Sequence, residues 1–210
     1  MVNQAGQTRE KGRASLAVLP SRLDDAAIVA RLRDGDRLAI AALFDRHADT
    51  IERVLHRVLG ADAEIPDLLQ DVFMHVMVGA DRFRGGAASL QPWLVQIAVR
   101  SARKCIRRRT TRRWLGLTDT AELPDAPGTS DPELQATLAR VYRVLDRMPA
   151  RERIPFALRH LEGMQLPEVA AACGVSLATS KRRLVRARER FDKLAASDAV
   201  LRTWLQEGER

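Results

Sequence analysis

Along most of the chain the hydrophobic residues return every three or four positions and never alternate for a useful length, so the pattern predicts helices throughout and no sheet. A first helix starts at Asp24, turns Ile28 and Leu32 inward and ends at Gly35. Leu38, Leu43, Phe44, Ile51, Leu55, Val58 and Leu59 then mark one long helix or a close pair, stopped by Gly60. From Ile65 to Met77 the residues Ile65, Leu69, Val72, Phe73 and Val76 share one face, Asp67, Gln70 and Asp71 share another, and Pro66 fits the first turn. After the loop FRGGAAS, residues 83–89, a fourth helix carries Leu90, Trp93, Leu94, Ile97, Ala98 and Cys105 inward and Arg100, Arg103, Lys104 and Arg107 outward.

That helix runs into RRRTTRRW, residues 107–114. Because the run extends a helix already basic on its outer face, phosphate contact explains it better than a solvated helix end. The composition then inverts to LGLTDTAELPDAPGTSD, residues 115–131, acidic and rich in Pro and Gly, which reads as a flexible linker. Beyond it Leu134, Leu138, Val141, Leu145 and Met148 keep a helical register, and another helix follows through Ile154, Phe156, Leu158 and Leu161 to Gly163. Pro155 should remove one backbone bond there and bend the chain. The expected organisation is a tail over 1–21, a helical domain over 22–114, the linker over 115–131, a second helical domain over 132–196 and a C-terminal tail over 197–210. Val200, Leu201, Trp204 and Leu205 in that last piece have the spacing of a short docking helix.

The most specific segment is LPEVAAACGVSLATSKRRLVRARER, residues 166–190. Val169 and Cys173 face a core, Ala170 lets a crossing helix approach closely, and Gly174 supplies the positive φ that a sharp turn needs. Val175 plugs the corner and Ser176 caps a new helix by accepting from the Thr179 amide. Along that helix Leu177, Ser180, Leu184, Ala187 and Phe191 form an inward row, while Arg182 and Arg186 point away. Such a helix-turn-helix puts the start of its second helix into a major groove, where Arg and Lys meet guanine edges and phosphates. Ser180 breaks the apolar row, and its hydroxyl must bond back to a carbonyl or cost stability.

Charge supports a polyanionic partner: Lys and Arg number 35 against 27 Asp and Glu, a formal charge of +8. No apolar run spans a bilayer and the N-terminal residues have no secretory apolar core, so a cytoplasmic location without membrane insertion is expected. Cys105 and Cys173 read as buried small residues rather than a disulfide. His47, His56, His75 and His160 lack ligand spacing and no glycine-rich phosphate loop exists, which argues against an enzyme, a metal site or a cofactor.

Taken in order, DGDRLAIAALFDRHADTI, PDLLQDVF, DRFRGGAASLQPWLVQIA with its basic continuation, and MPARERIPFALRHLEGMQLPEVAAACGVSLATSKRRLVRARERF resemble a bacterial RNA polymerase sigma factor. The resemblance is to the extracytoplasmic-function (ECF) group of the sigma-70 family and spans nearly the whole chain. It implies a region 2 bundle that binds core polymerase and the minus-10 element, and a region 4 helix-turn-helix that reads the minus-35 element. The face of Asp67, Gln70 and Asp71 is implied to dock on the coiled coil of the polymerase's largest subunit, and the second domain to touch the flap. Loop 83–89 and the helix after it are similar to the part that captures a flipped base, with Arg84, Ser89, Gln96, Arg100, Arg103, Lys104 and Arg107 as DNA contacts. In the recognition helix Lys181, Arg182, Val185 and Arg186 lie near bases, and Thr179 and Arg183 nearer phosphates. A separate anti-sigma protein is implied as a regulator, and no small-molecule substrate.

Ser180 and Arg182 depart from the apolar and small residues common in that family, so no promoter sequence follows from the helix. Base capture offsets the few kcal/mol of unstacking best with aromatic platforms. Between Asp81 and Trp114 only Phe83, Trp93 and Trp114 are aromatic, with Trp93 on the inward row, so weak strand separation and a need for well-matched promoters are expected. A two-domain helix-turn-helix repressor or activator would explain the charge but not the Asp67, Gln70, Asp71 face. A sigma-mimicking protein that sequesters an anti-sigma factor would have no use for the arginines of residues 100–113.

Overall fold

A computed structural model describes residues 23–36, 38–116 and 131–202; the expected N-terminal tail, most of the linker, Trp204 and Leu205 lie outside the described residues. All described elements are helical. In the first lobe α1 (Asp25–Arg33) starts where the Asp24 carboxylate accepts from the Ala27 amide at 2.8 Å. The second pattern is one unbroken helix, α2 (Leu38–Leu59), and α3 (Ile65–Gly79) follows with Pro66 in its first turn. Two short 3-10 turns, Ala80–Arg82 and Ala87–Ser89, lead into α4 (Leu90–Trp114). Leu43, Ile51, Leu55, Val72, Leu90 and Leu94 are buried where α2, α3 and α4 meet. On α3 the residues Ile65, Val72, Phe73 and Val76 are buried as expected, but Leu68 is buried with them and Leu69 is only half-buried.

The second lobe holds α5 (Pro132–Leu145), α6 (Ala150–His160), α7 (Leu166–Cys173) and α8 (Leu177–Ala195). Pro155 does not end α6, which continues through it for another turn and a half with Pro155 itself buried. A packed core around a helix can hold a proline whose lost bond is local. Phe156 of α6 stacks on Phe191 of α8 at 4.7 Å between centroids, and Leu201, in the short helical piece after α8, closes the same core.

The two lobes are in contact, and their cores are not separate. Ile154, Ala157 and Leu158 of α6 and Val169, Ala172 and Cys173 of α7 belong to the apolar cluster built by α2 and α4. At this boundary the C-terminal carbonyls of α2, which have no partner within the helix, are taken up largely by the other lobe. The Tyr142 hydroxyl donates to His56 O at 3.0 Å and reaches Arg57 O at 3.3 Å. Arg153 donates through Nε to Val58 O at 2.9 Å and through an Nη to Leu59 O at 3.1 Å, and pairs with Asp146. Gly60 takes the left-handed φ of 85° that ends α2, and a Cβ there would sit 3.0 Å from the Tyr142 ring.

Ser180 is fully buried on the core face of α8 and its hydroxyl has no hydrogen-bond partner. An unsatisfied buried hydroxyl costs about 1–3 kcal/mol. Ser180→Ala is therefore expected to raise the unfolding free energy by about 1 kcal/mol in a urea titration, and a loss of stability would show that the hydroxyl is bonded in solution.

Candidate nucleic-acid interface

Two short helices joined at Gly174 build the first candidate surface. A reciprocal cap starts α7: the Gln165 side chain accepts from the Glu168 amide, and the Glu168 carboxylate accepts from the Gln165 amide at 2.7 Å. Gly174 adopts φ 65°, and the Ser176 hydroxyl accepts from the Thr179 amide at 3.2 Å to start α8. Lys181, Arg182, Val185 and Arg186 all face solvent on α8, whereas Thr179 and Arg183 are half-buried. Arg182 also reaches the Thr179 hydroxyl at 3.5 Å. The outcome is a solvent-facing strip of three cations around an exposed Val185, on a helix whose other face is packed on α6 and α7.

The second surface lies on α4. Gln96, Arg100, Arg103, Lys104 and Arg107 follow one another at helical spacing, and Arg100, Arg103, Lys104, Arg107, Arg108 and Thr111 line one shallow basic groove. A deeper groove between α3 and α4 is lined by Asp71, His75, Arg82, Arg100, Lys104 and Arg108, with Phe83 and Trp93 at one end. Those rings stack with centroids 4.7 Å apart, and Trp93 is half-buried at the groove wall rather than sealed in the core. Arg84 and Ser89 are exposed on the loop before α4. That loop is tied back where Arg33 donates to Gly85 O at 2.8 Å, and it is tight: a Cβ on Gly85 would lie 2.7 Å from both the Phe83 ring and Ser89 Cβ.

The basic run at the end of α4 divides in a way the spacing alone did not show. Arg108 pairs with Glu64, and Arg109 bonds both Asp62 and, at 2.9 Å, Glu64, all in the turn before α3. Arg113 donates to Asp146 O at 3.1 Å. An acidic turn packs against the helix and takes Arg108 and Arg109, and among the described residues Arg107 and Arg112 stay exposed outside these pairs. Nor are all the expected DNA contacts open. Gln96 donates to Ala171 O at 3.3 Å and Arg103 to Cys173 O at 3.1 Å, so these two side chains cap the end of α7.

On α3 the residues Asp67, Gln70 and Asp71 are exposed as one patch. The same stripe continues through Met74 and Val78, 51% and 74% exposed, with Met77 beside it, an apolar extension that the charged positions hid in the sequence. Cys105 and Cys173 are buried, and burial pushes both thiols above their ordinary range. Among the described residues no cluster of His, Cys, Asp and Glu could hold a metal, and no helix is long and apolar enough to cross a membrane.

Two helical lobes, one with a basic groove-bearing helix and one with a helix-turn-helix, define a class of two-part helical proteins with basic helices on their surfaces. Residues 43–112 match the family described as Sigma-70 region 2, and residues 138–191 match Sigma-70, region 4. The RNA polymerase sigma factor NccH of Alcaligenes xylosoxydans xylosoxydans is 29% identical over 183 residues, 84% of this chain and 97% of that protein. The ECF RNA polymerase sigma-E factor of Escherichia coli K12 is 28% identical over 184 residues, 83% of this chain and 95% of that one. Among solved structures, CnrH in complex with the cytosolic domain of CnrY shares the fold with a TM-score of 0.59 at 22% identity, over 83% of this chain and 99% of that one. The sigma factor RpoE in complex with the anti-sigma factor NepR from Bartonella quintana gives 0.55 at 23% identity, over 75% and 97%. The chain belongs to the sigma-70 family, in its extracytoplasmic-function group. It acts with core RNA polymerase and promoter DNA in transcription initiation.

The tight loop before α4 makes a direct check possible. Gly85→Ala should push Phe83 off Trp93, seen as loss of near-UV circular dichroism with the far-UV helical signal retained; an unchanged near-UV spectrum would show that the loop has room for a methyl group.

Proposed function

We propose that this sigma factor divides its work among three surfaces. The region 2 lobe carries two of them. The patch of Asp67, Gln70 and Asp71, with Met74 and Val78 as apolar anchors, docks on the coiled coil of the polymerase's largest subunit. The basic face of α4, through Arg100, Arg103, Lys104 and Arg107 with Gln96, Arg84 and Ser89, takes the minus-10 element. Phe83 and Trp93 stand at the end of the groove where an extruded base would enter. The region 4 lobe carries the third surface: α8 reads the minus-35 element through Lys181, Arg182, Val185 and Arg186, with Thr179 and Arg183 on flanking phosphates, and the same lobe meets the flap. Catalysis stays with the polymerase.

The observation that supports this partition is that solvent-facing cations gather on two helices, α4 and α8, while α3 shows an acidic and apolar face. A DNA phosphate would be repelled by Asp67 and Asp71 and held by Arg100 and Lys104, so each surface selects its partner by charge. A repressor would not need the α3 patch. The solved structures of CnrH with the cytosolic domain of CnrY and of RpoE with the anti-sigma factor NepR support a further partner here, an anti-sigma protein.

Reconstitution with core polymerase should yield promoter-specific run-off transcripts from genomic fragments. Arg186→Ala is expected to weaken minus-35 duplex binding about tenfold, the size of one good base contact. Asp71→Ala should weaken core binding and leave binding to the minus-35 duplex unchanged. Equal behaviour of the two variants in both assays would refute the division of surfaces. With so few aromatic platforms, permanganate footprints should show opening only on well-matched promoters.

A further inference from the structure

The basic strip of α4 does not end in a charge. Arg100, Lys104, Arg107 and Thr111 are all exposed and step along one face of the helix by four, three and four residues, and the next step of three falls on Trp114. Trp114 is 86% exposed, and Leu115, next to it in the chain, is 56% exposed. We propose that Trp114 is a further DNA-binding residue, which packs its indole on deoxyribose faces of the promoter duplex just upstream of the minus-10 element. The proposal rests on α4 being the minus-10 surface, and its test separates the two.

A single apolar residue on a surface is ordinary, and it is the register of Trp114 that sets it apart. A strand whose phosphates are held by Arg100, Lys104 and Arg107 meets Trp114 next, about 10 Å past Arg107 along the helix. The helix end that carries the ring is closed rather than frayed. The Leu115 amide donates to Thr111 O at 3.0 Å and the Gly116 amide to Arg113 O at 3.1 Å, with Gly116 in the left-handed region at φ 68°. Arg113 donates to Asp146 O at 3.1 Å, which ties this end to the turn after α5. An indole on so fixed a backbone gives up little freedom when it packs on a ligand. The chemistry of the helix end favours a sugar over a phosphate. The C-terminus of a helix is partially negative and repels an anion, the Thr111 hydroxyl donates back to Arg107 O at 3.1 Å, and the indole is uncharged. Deoxyribose is the least polar part of a DNA backbone and offers C–H faces to a ring. From Trp93, at the groove where an extruded base would enter, α4 rises roughly 30 Å to Trp114. A strand that follows the helix therefore reaches the ring no more than about nine base pairs upstream of the captured base.

The contact can be read in holoenzyme, reconstituted from core polymerase and the full-length chain, on a promoter mapped by run-off transcription. Hydroxyl radicals attack exposed sugars, so a short protected patch is expected in the duplex upstream of the minus-10 element. That patch should vanish in Trp114→Ala and persist in Trp114→Phe. Promoter affinity should fall about tenfold in Trp114→Ala, within the range of an aromatic contact with nucleic acid. The slope of log affinity against log salt should stay as it is in Trp114→Ala, because no phosphate is released, whereas Arg107→Ala should lower that slope by about one. Core polymerase should bind all these chains equally. A footprint unchanged in Trp114→Ala, while Arg107→Ala still weakens the promoter complex, overturns the contact. Loss of core affinity in Trp114→Ala makes the polymerase the occupant of the ring and overturns it too. If neither Arg100→Ala nor Arg107→Ala weakens promoter binding, the assignment of α4 to the minus-10 element fails, and the contact with it.

Discussion

The end of α2 is the constraint on which the arrangement turns. A 22-residue helix that stops inside the molecule leaves carbonyls that must be bonded; the Gly60 amide takes His56 O at 2.8 Å, and the other donors come from the other half of the chain. Arg153 supplies a planar guanidinium with donors spread in a fork, so one side chain reaches two adjacent carbonyls and a carboxylate at once. A lysine at that place would bring one point of charge and leave a carbonyl short. Removing one partner of a buried charge of this kind costs about 3–5 kcal/mol, a large share of the stability of a domain this size. The buried Gly60 completes the joint, since its open face is where the Tyr142 ring lies.

The chain's excess of positive charge is spent unevenly for the same reason. Arg153, Arg190, Arg108 and Arg109 are held in ion pairs with Asp146, Glu152, Glu64 and Asp62, and they stabilise packing rather than project a field. Among the cations that do face solvent are Arg100, Lys104 and Arg107 on α4 and Lys181, Arg182 and Arg186 on α8. On the partition proposed above, a promoter meets two separated cationic strips, one on α4 and one on α8. Counterion release from two such strips adds to affinity only when both engage one duplex at the right spacing.

Much of this was legible in the sequence, and the failures are instructive. The turn of the helix-turn-helix is legible because its parts are local: Gly174 for the positive φ, Ser176 for the cap, Ala170 for a close approach; Leu177, expected on the inward row, is exposed instead. The length of α2 was not legible, because one long helix and a close pair share a periodicity. Pro155 lies inside α6 without ending it, because the surrounding core holds the helix on both sides of the lost bond. Reading RRRTTRRW as a phosphate run missed Asp62 and Glu64, 45 or so positions earlier, which only the fold brings alongside. Trp93 was placed on the inward row correctly, yet a half-buried ring beside Phe83 also forms a groove wall, and periodicity cannot distinguish a wall from an interior. The cap of α2 by Arg153 had no sequence signal at all, since helical spacing says nothing about which arginine will be buried.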